Sequence, residues 1–161
     1  MTFQSGSINM HSDHRTTGSM QDDNTLTIES AVLGDIPRIV EFVISWLQRQ
    51  GLDRYVFTLE TAVDEASTNV VKHAYGGQGG YYQITCALSG ADIIVTIRDH
   101  GNKFDPDSVP LPEVGSQLEE RKVGGLGIYM MKKMMDRIDY SFSEQEGNRL
   151  VLVKRTSVET A

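Results

Sequence analysis

The stretch Asp64-Glu65-Ala66-Ser67-Thr68-Asn69-Val70-Val71-Lys72-His73-Ala74-Tyr75 decides how the rest of the chain is read. Leu59, Val63, Ala66 and Val70 recur at the spacing of one buried helix face, and Gly76-Gly77 ends the run. A helix is therefore expected from about Arg54 to about Ala74. Glu65 and Asn69 emerge one turn apart, on a row beside the buried stripe. An Asn amide oxygen is a hard ligand suited to magnesium, and a Glu one turn away can serve as general base toward a hydroxyl or water. Solvated helix faces hold such pairs constantly, so this pair takes its meaning from motifs further along the chain. His73, in the last helical turn, is favourable to the dipole and to capping. Lys72 reads as a solvated charge or as a phosphate contact.

Two further signatures lie downstream in fixed order. Asp99-His100-Gly101-Asn102-Lys103-Phe104-Asp105 begins where Ile93, Val95 and Ile97 share the side of Asp99 by period two. The Asp99 carboxylate is thus expected to face the interior, where a buried charge needs donors. The exocyclic amine of adenine, with a bound water, would be one, and Gly101 would let the ring approach the backbone. Asp-x-Gly also ends many strands as a plain turn. Then Gly124-Gly125-Leu126-Gly127-Ile128 leads into a helix, where backbone N–H groups and the dipole cradle phosphates. It lacks the Lys-Ser/Thr of a P-loop and does not follow a strand as a dinucleotide fingerprint does. Arg121 and Lys122 read equally as solvated charges or as contacts to a terminal phosphate. In this order the three signatures read as one ATP site.

Composition sets the frame. The chain has 161 residues with 39% apolar content, which fits one domain with a substantial core. Its net charge of -7 argues against DNA or RNA as a direct ligand, because holding phosphates through side chains needs a clustered basic surface. ATP is not excluded, since magnesium, backbone N–H groups and a helix N-terminus supply a local positive field. Cys86, the single cysteine, lies in the alternating run Tyr82 to Leu88 and is expected to be buried and unreactive. No apolar stretch is long enough to span a bilayer and the opening residues carry no signal-peptide hydrophobic region, so a cytoplasmic, reducing setting is expected.

Along the chain, residues 1–24 read as a disordered tail, with no function assigned to His11 and His14, and residues 25–161 as one ATP-binding domain. A first strand is expected from Leu26. Gly34-Asp35-Ile36-Pro37 opens a helix with Asp35 as N-cap, and Ile36, Ile39, Val40, Val43 and Leu47 form its buried stripe up to Gly51. Phe42 and Trp46 lie beside that stripe, widening the core face or offering a docking surface. Tyr81 to Leu88 and Ile93 to Arg98 read as a hairpin, residues 106–123 as a loop or lid, and Ile128 to Asp136 as a short helix with Ile128, Met131 and Met135 inward. Ile138 to Phe142 and Arg149 to Val153 form a last hairpin around Glu146-Gly147-Asn148. The expected fold is an α/β two-layer sandwich, a mainly antiparallel sheet covered on one face by helices.

With all three signatures in order, residues from about Leu26 to about Arg155 resemble the ATPase domain shared by gyrase, Hsp90, histidine kinases and MutL. Within that superfamily the chain is most similar to the bacterial anti-sigma factor serine/threonine kinases. That resemblance implies Glu65 as catalytic base, Asn69 as magnesium ligand, Asp99 and Gly101 in adenine recognition, and Gly125 and Gly127 in the phosphate loop. The ATP-binding set it implies also takes in His73, Phe104, Arg121, Gly124, Leu126 and Ile128. It further implies ATP and Mg2+ as cofactors, a sequestered sigma factor, an antagonist protein phosphorylated on Ser or Thr, and a homodimer. No dimerisation helix with a phospho-accepting histidine precedes the domain, so a sensor histidine kinase is not expected. The competing expectation is an ATP-responsive binding module without phosphotransfer, docking partners through Phe42 and Trp46.

Overall fold

A computed structural model describes residues 19–109 and 125–157. Among these residues six antiparallel strands form one sheet: β1 (Ser19–Gln21), β2 (Thr25–Ala31), β3 (Gly80–Ser89), β4 (Asp92–Asp99), β5 (Arg137–Ser143) and β6 (Gly147–Arg155), in the order β1-β2-β3-β4-β6-β5. The α-helices of the described residues cover it: α1 (Ile36–Arg49), α2 (Val56–Asn69) and α3 (Gly125–Met134).

The period-two pattern sets the buried face. Leu26 and Ile28 from β2, Ile84 from β3, Ile93, Val95 and Ile97 from β4, and Leu152 from β6 are all at most 1% exposed under the helices. On the other side of the sheet the side chains of Thr25, Thr27, Gln83 and Thr85 pair across β2 and β3 through hydroxyl and amide hydrogen bonds. Asp99 continues the β4 alternation and is buried with it. Cys86 is also on the core side, and burial pushes its thiol up to about 12.

Helix α1 carries the expected stripe and starts with Pro in its first turn. Asp35 sits at its N-cap, but the carboxylate turns backward to accept the Val32 N–H at 2.8 Å instead of capping α1. Phe42 and Trp46 are buried, and the Trp46 indole N–H donates to the Asn24 side-chain oxygen at 3.1 Å. The docking surface offered by these two rings is therefore corrected: they belong to the core, because the apolar face of α1 is wider than the stripe of Ile36, Ile39, Val40, Val43 and Leu47.

Two other expectations change. The tail expected over residues 1–24 is ordered at Ser19–Gln21, which pair with Leu26–Ile28 as an edge strand; residues 1–18 lie outside the described residues. The second helix does not run unbroken to Ala74. After Asn69 it widens into one π turn, Val70–Ala74, closed by Tyr75 N–H to Val70 C=O at 3.0 Å. Gly76 and Gly77, both at positive φ, then turn the chain toward β3. The Ala74 carbonyl, at the end of this turn, accepts the Asn102 N–H at 2.8 Å, which docks the end of the helix on the loop after β4. Of the expected lid, only its first residues are described, as a short 3-10 turn at Pro106–Ser108.

Candidate functional site

Helices α2 and α3 and the end of the sheet border a cavity lined by Asn69, Asp99, Phe104, Met131, Tyr140 and Asn148 among others. Its walls are mostly apolar and its polar groups few, the composition of a small-molecule site. Asp99 supplies the deepest charge at 3% exposure. Its Oδ1 accepts the Gly101 N–H at 2.9 Å and the Asn148 side-chain amide at 2.8 Å. Among the described residues both bonds fall on Oδ1, leaving Oδ2 as an acceptor. Burial raises the Asp99 pKa, opposed by the bonds from Asn148 and Gly101 and by the nearby His100.

Asn148 stands directly opposite Asp99 across β4 and β6, and is itself 4% exposed. Its Oδ1 accepts the Tyr140 hydroxyl at 2.6 Å and the Phe104 N–H at 3.2 Å, and its amide also donates to the Asn102 carbonyl at 2.9 Å. Reading Glu146-Gly147-Asn148 only as a turn misses this side chain. The available signal is the period: Asn148 is two residues before Leu150, on the core face of β6.

Along α2, Asn69 borders this cavity and Glu65 opens on the next groove, lined by Phe57, Asp64, Leu126, Gly127 and Met130. A Cβ built on Gly127 would run into the Glu65 carboxylate, so the start of α3 seats directly against that side chain. Burial raises the pKa of Glu65; a hydrogen bond with Asn69 opposes the rise, Asp64 adds to it, and Lys72 and His73 pull the other way.

The chain matches the family model of the histidine kinase-like ATPase domain over residues 30–154. It belongs to that family.

Relatives of this ATPase domain include the anti-sigma F factor of Clostridium kluyveri, 26% identical over 60% of this chain and 68% of that protein. The serine-protein kinase RsbW of Listeria monocytogenes is 33% identical over 60% of this chain and 63% of its own length. The serine/threonine-protein kinase BtrW of Bordetella bronchiseptica is 29% identical over 71% of this chain and 84% of its own.

Within the ATPase domain, Asn69, Asp99 and Phe104 line the cavity, while Glu65, Leu126 and Gly127 line the groove beside it. His73, itself exposed, stacks on Phe104 with ring centroids 5.1 Å apart, so it braces a ring that lines the cavity rather than only ending a helix. Gly125 opens α3, and Ile128 packs into the core at 2% exposure. Gly101 has a different reason from the one expected: a Cβ there would lie 2.6 Å from the Ala74 carbonyl oxygen, so the room it leaves is taken by the helix end. Arg121 and Gly124 lie outside the described residues, as does Lys122.

Proposed function

We propose that this protein is an ATP- and magnesium-dependent protein serine/threonine kinase that acts as an anti-sigma regulatory factor. It holds a sigma factor and phosphorylates the antagonist of that arrangement on a Ser or Thr. The observation that carries this reading is the seating of Gly127 against Glu65. It joins a carboxylate, a magnesium-competent amide one turn away and the opening turn of a helix on the border of a cavity whose deepest charge is Asp99.

The residues present fit ATP. Asp99 Oδ2 suits the adenine 6-amino group, and the cavity walls from Phe104 and Met131 suit the ring. The N–H groups at the start of α3 suit phosphate oxygens. Asn69 would hold magnesium through its amide oxygen, and the ion would supply charge neutralisation for the transferred group. Glu65 takes the proton from the acceptor hydroxyl as it attacks.

Glu65→Gln is expected to cut phosphotransfer to a purified antagonist at least ~100-fold, the lower range for a general base, while ATP affinity stays within a few-fold. Undiminished transfer by this variant removes Glu65 as base. A base must be deprotonated, and the pKa of Glu65 is raised. The acid limb of the rate profile is therefore expected above the pH where an ordinary Glu titrates, and a limb at that ordinary value would contradict the assignment. Phosphotransfer that proceeds equally well without magnesium would remove the metal from the scheme. A homodimer working in the cytoplasm completes the proposal; a sedimentation profile of monomer alone at micromolar concentration would remove the dimer. No helix among the described residues is long and apolar enough to cross a membrane.

A further inference from the structure

We infer that Asn148 is a positioning residue that sets nucleobase selectivity, by holding Asp99 in the single orientation that accepts the 6-amino group of adenine. The inference rests on the ATP-site reading above and adds to it a residue on the strand opposite Asp99.

An Asn side chain has two N–H donors and one carbonyl oxygen with two acceptor positions. At Asn148 all are engaged. One face of the amide gives N–H bonds to Asp99 Oδ1 at 2.8 Å and the Asn102 carbonyl at 2.9 Å, with a longer approach to the Gly101 carbonyl at 3.4 Å. Its oxygen takes the Tyr140 hydroxyl and the Phe104 N–H. Partners on one side are all acceptors and on the other all donors, so the amide has only one satisfactory orientation. The loop from Asp99 to Phe104 is thereby stitched to β6 through one side chain.

The consequence falls on Asp99. With Oδ1 occupied by donors from Asn148 and Gly101, the carboxylate cannot rotate without abandoning buried bonds. Oδ2 stays aimed as a lone acceptor. A 6-amino group satisfies it, whereas a 6-oxo group would bring a second acceptor against it. A carboxylate free to swing could instead take the N1–H of a 6-oxo purine. Rigidity of Asp99 is thus the source of discrimination, and neither Asp nor Leu at position 148 would supply it. Asp would oppose a carboxylate to a carboxylate, and Leu would leave the Phe104 N–H, the Tyr140 hydroxyl and the Asn102 carbonyl without their partner.

The test is calorimetric titration of the full chain with ATP and with inosine triphosphate, which carries the 6-oxo group. Wild type is expected to prefer ATP by ~30-fold or more, in keeping with sites that read one polar group by hydrogen bonding. Asn148→Ala is expected to narrow that preference below ~5-fold, chiefly through lost ATP affinity. A merely structural loss would weaken both nucleotides together and keep their ratio; that result overturns the inference. Tyr140→Phe removes a partner of Asn148 while keeping the ring, and is expected to narrow the ratio partially. If Asn148→Ala does not fold, an unchanged ratio in Tyr140→Phe overturns the inference on its own. Wild type that binds neither nucleotide sinks the ATP-site reading itself, and this inference with it.

Discussion

A carboxylate buried to the extent of Asp99 costs the folded protein stability, because its charged form is disfavoured inside. The linkage has a definite sign. The folded pKa is raised, so the contribution of this group is most favourable below the ordinary Asp value and is lost as pH rises through the folded one. Asp99→Asn removes that loss while keeping an oxygen for the Asn148 amide. The variant is therefore expected to melt at the same temperature as wild type or a few degrees higher at neutral pH, while losing ATP affinity by about tenfold or more. Thermal melts from pH 4 to pH 8 check it; a variant clearly less stable than wild type at pH 7 would mean that the carboxylate contributes structure as well as recognition. Asp99 itself is legible in the sequence because Ile93, Val95 and Ile97 announce its side. For Asn148 only the side is legible, two residues before Leu150; its buried partner 49 residues away leaves no local mark.

At the scale of elements, two glycines control how pieces meet. Gly127→Ala forces either α3 or the Glu65 side chain to move, since the added methyl would occupy the carboxylate position. Phosphotransfer is expected to fall at least ~10-fold with the melting temperature little changed, because misplacement of a catalytic group is costly even when packing is not. Normal transfer by that variant would show that α3 does not seat against Glu65. Gly101→Ala meets backbone at Ala74 instead, which cannot step aside as a side chain can. It is expected to cost roughly 1–3 kcal/mol in a urea titration. The helices and hairpins arise from local pattern: apolar rows on α1 and α2, alternation on β3 and β4, and glycines at the turns. The π turn at Val70–Ala74 does not. Nothing in the local spacing distinguishes five residues of π turn from five of α-helix, and the Asn102 N–H that meets the end of the turn is distant in sequence. Edge strand β1 is equally silent, since three residues are too few to show a period.

For the whole molecule, the first two signatures meet in the cavity between the helical layer and the end of the sheet, and the third lines the groove beside it. The sheet order, in which β6 inserts between β4 and β5, carries Asn148 to Asp99. The single tryptophan lies within that fold at 2% exposure. Trp46 is expected to emit at short wavelength, to resist iodide, and to shift red in one step as the core opens; easy quenching in the native protein would contradict its burial. The lone thiol has a practical counterpart. Cys86 is 2% exposed with its pKa pushed up to about 12, so at neutral pH it holds almost no thiolate. The wild-type chain is in effect already a cysteine-free background for labelling. A cysteine placed at exposed Leu126 or Phe57 could carry a fluorophore or spin label selectively, without first rebuilding the core around a removed native sulfur.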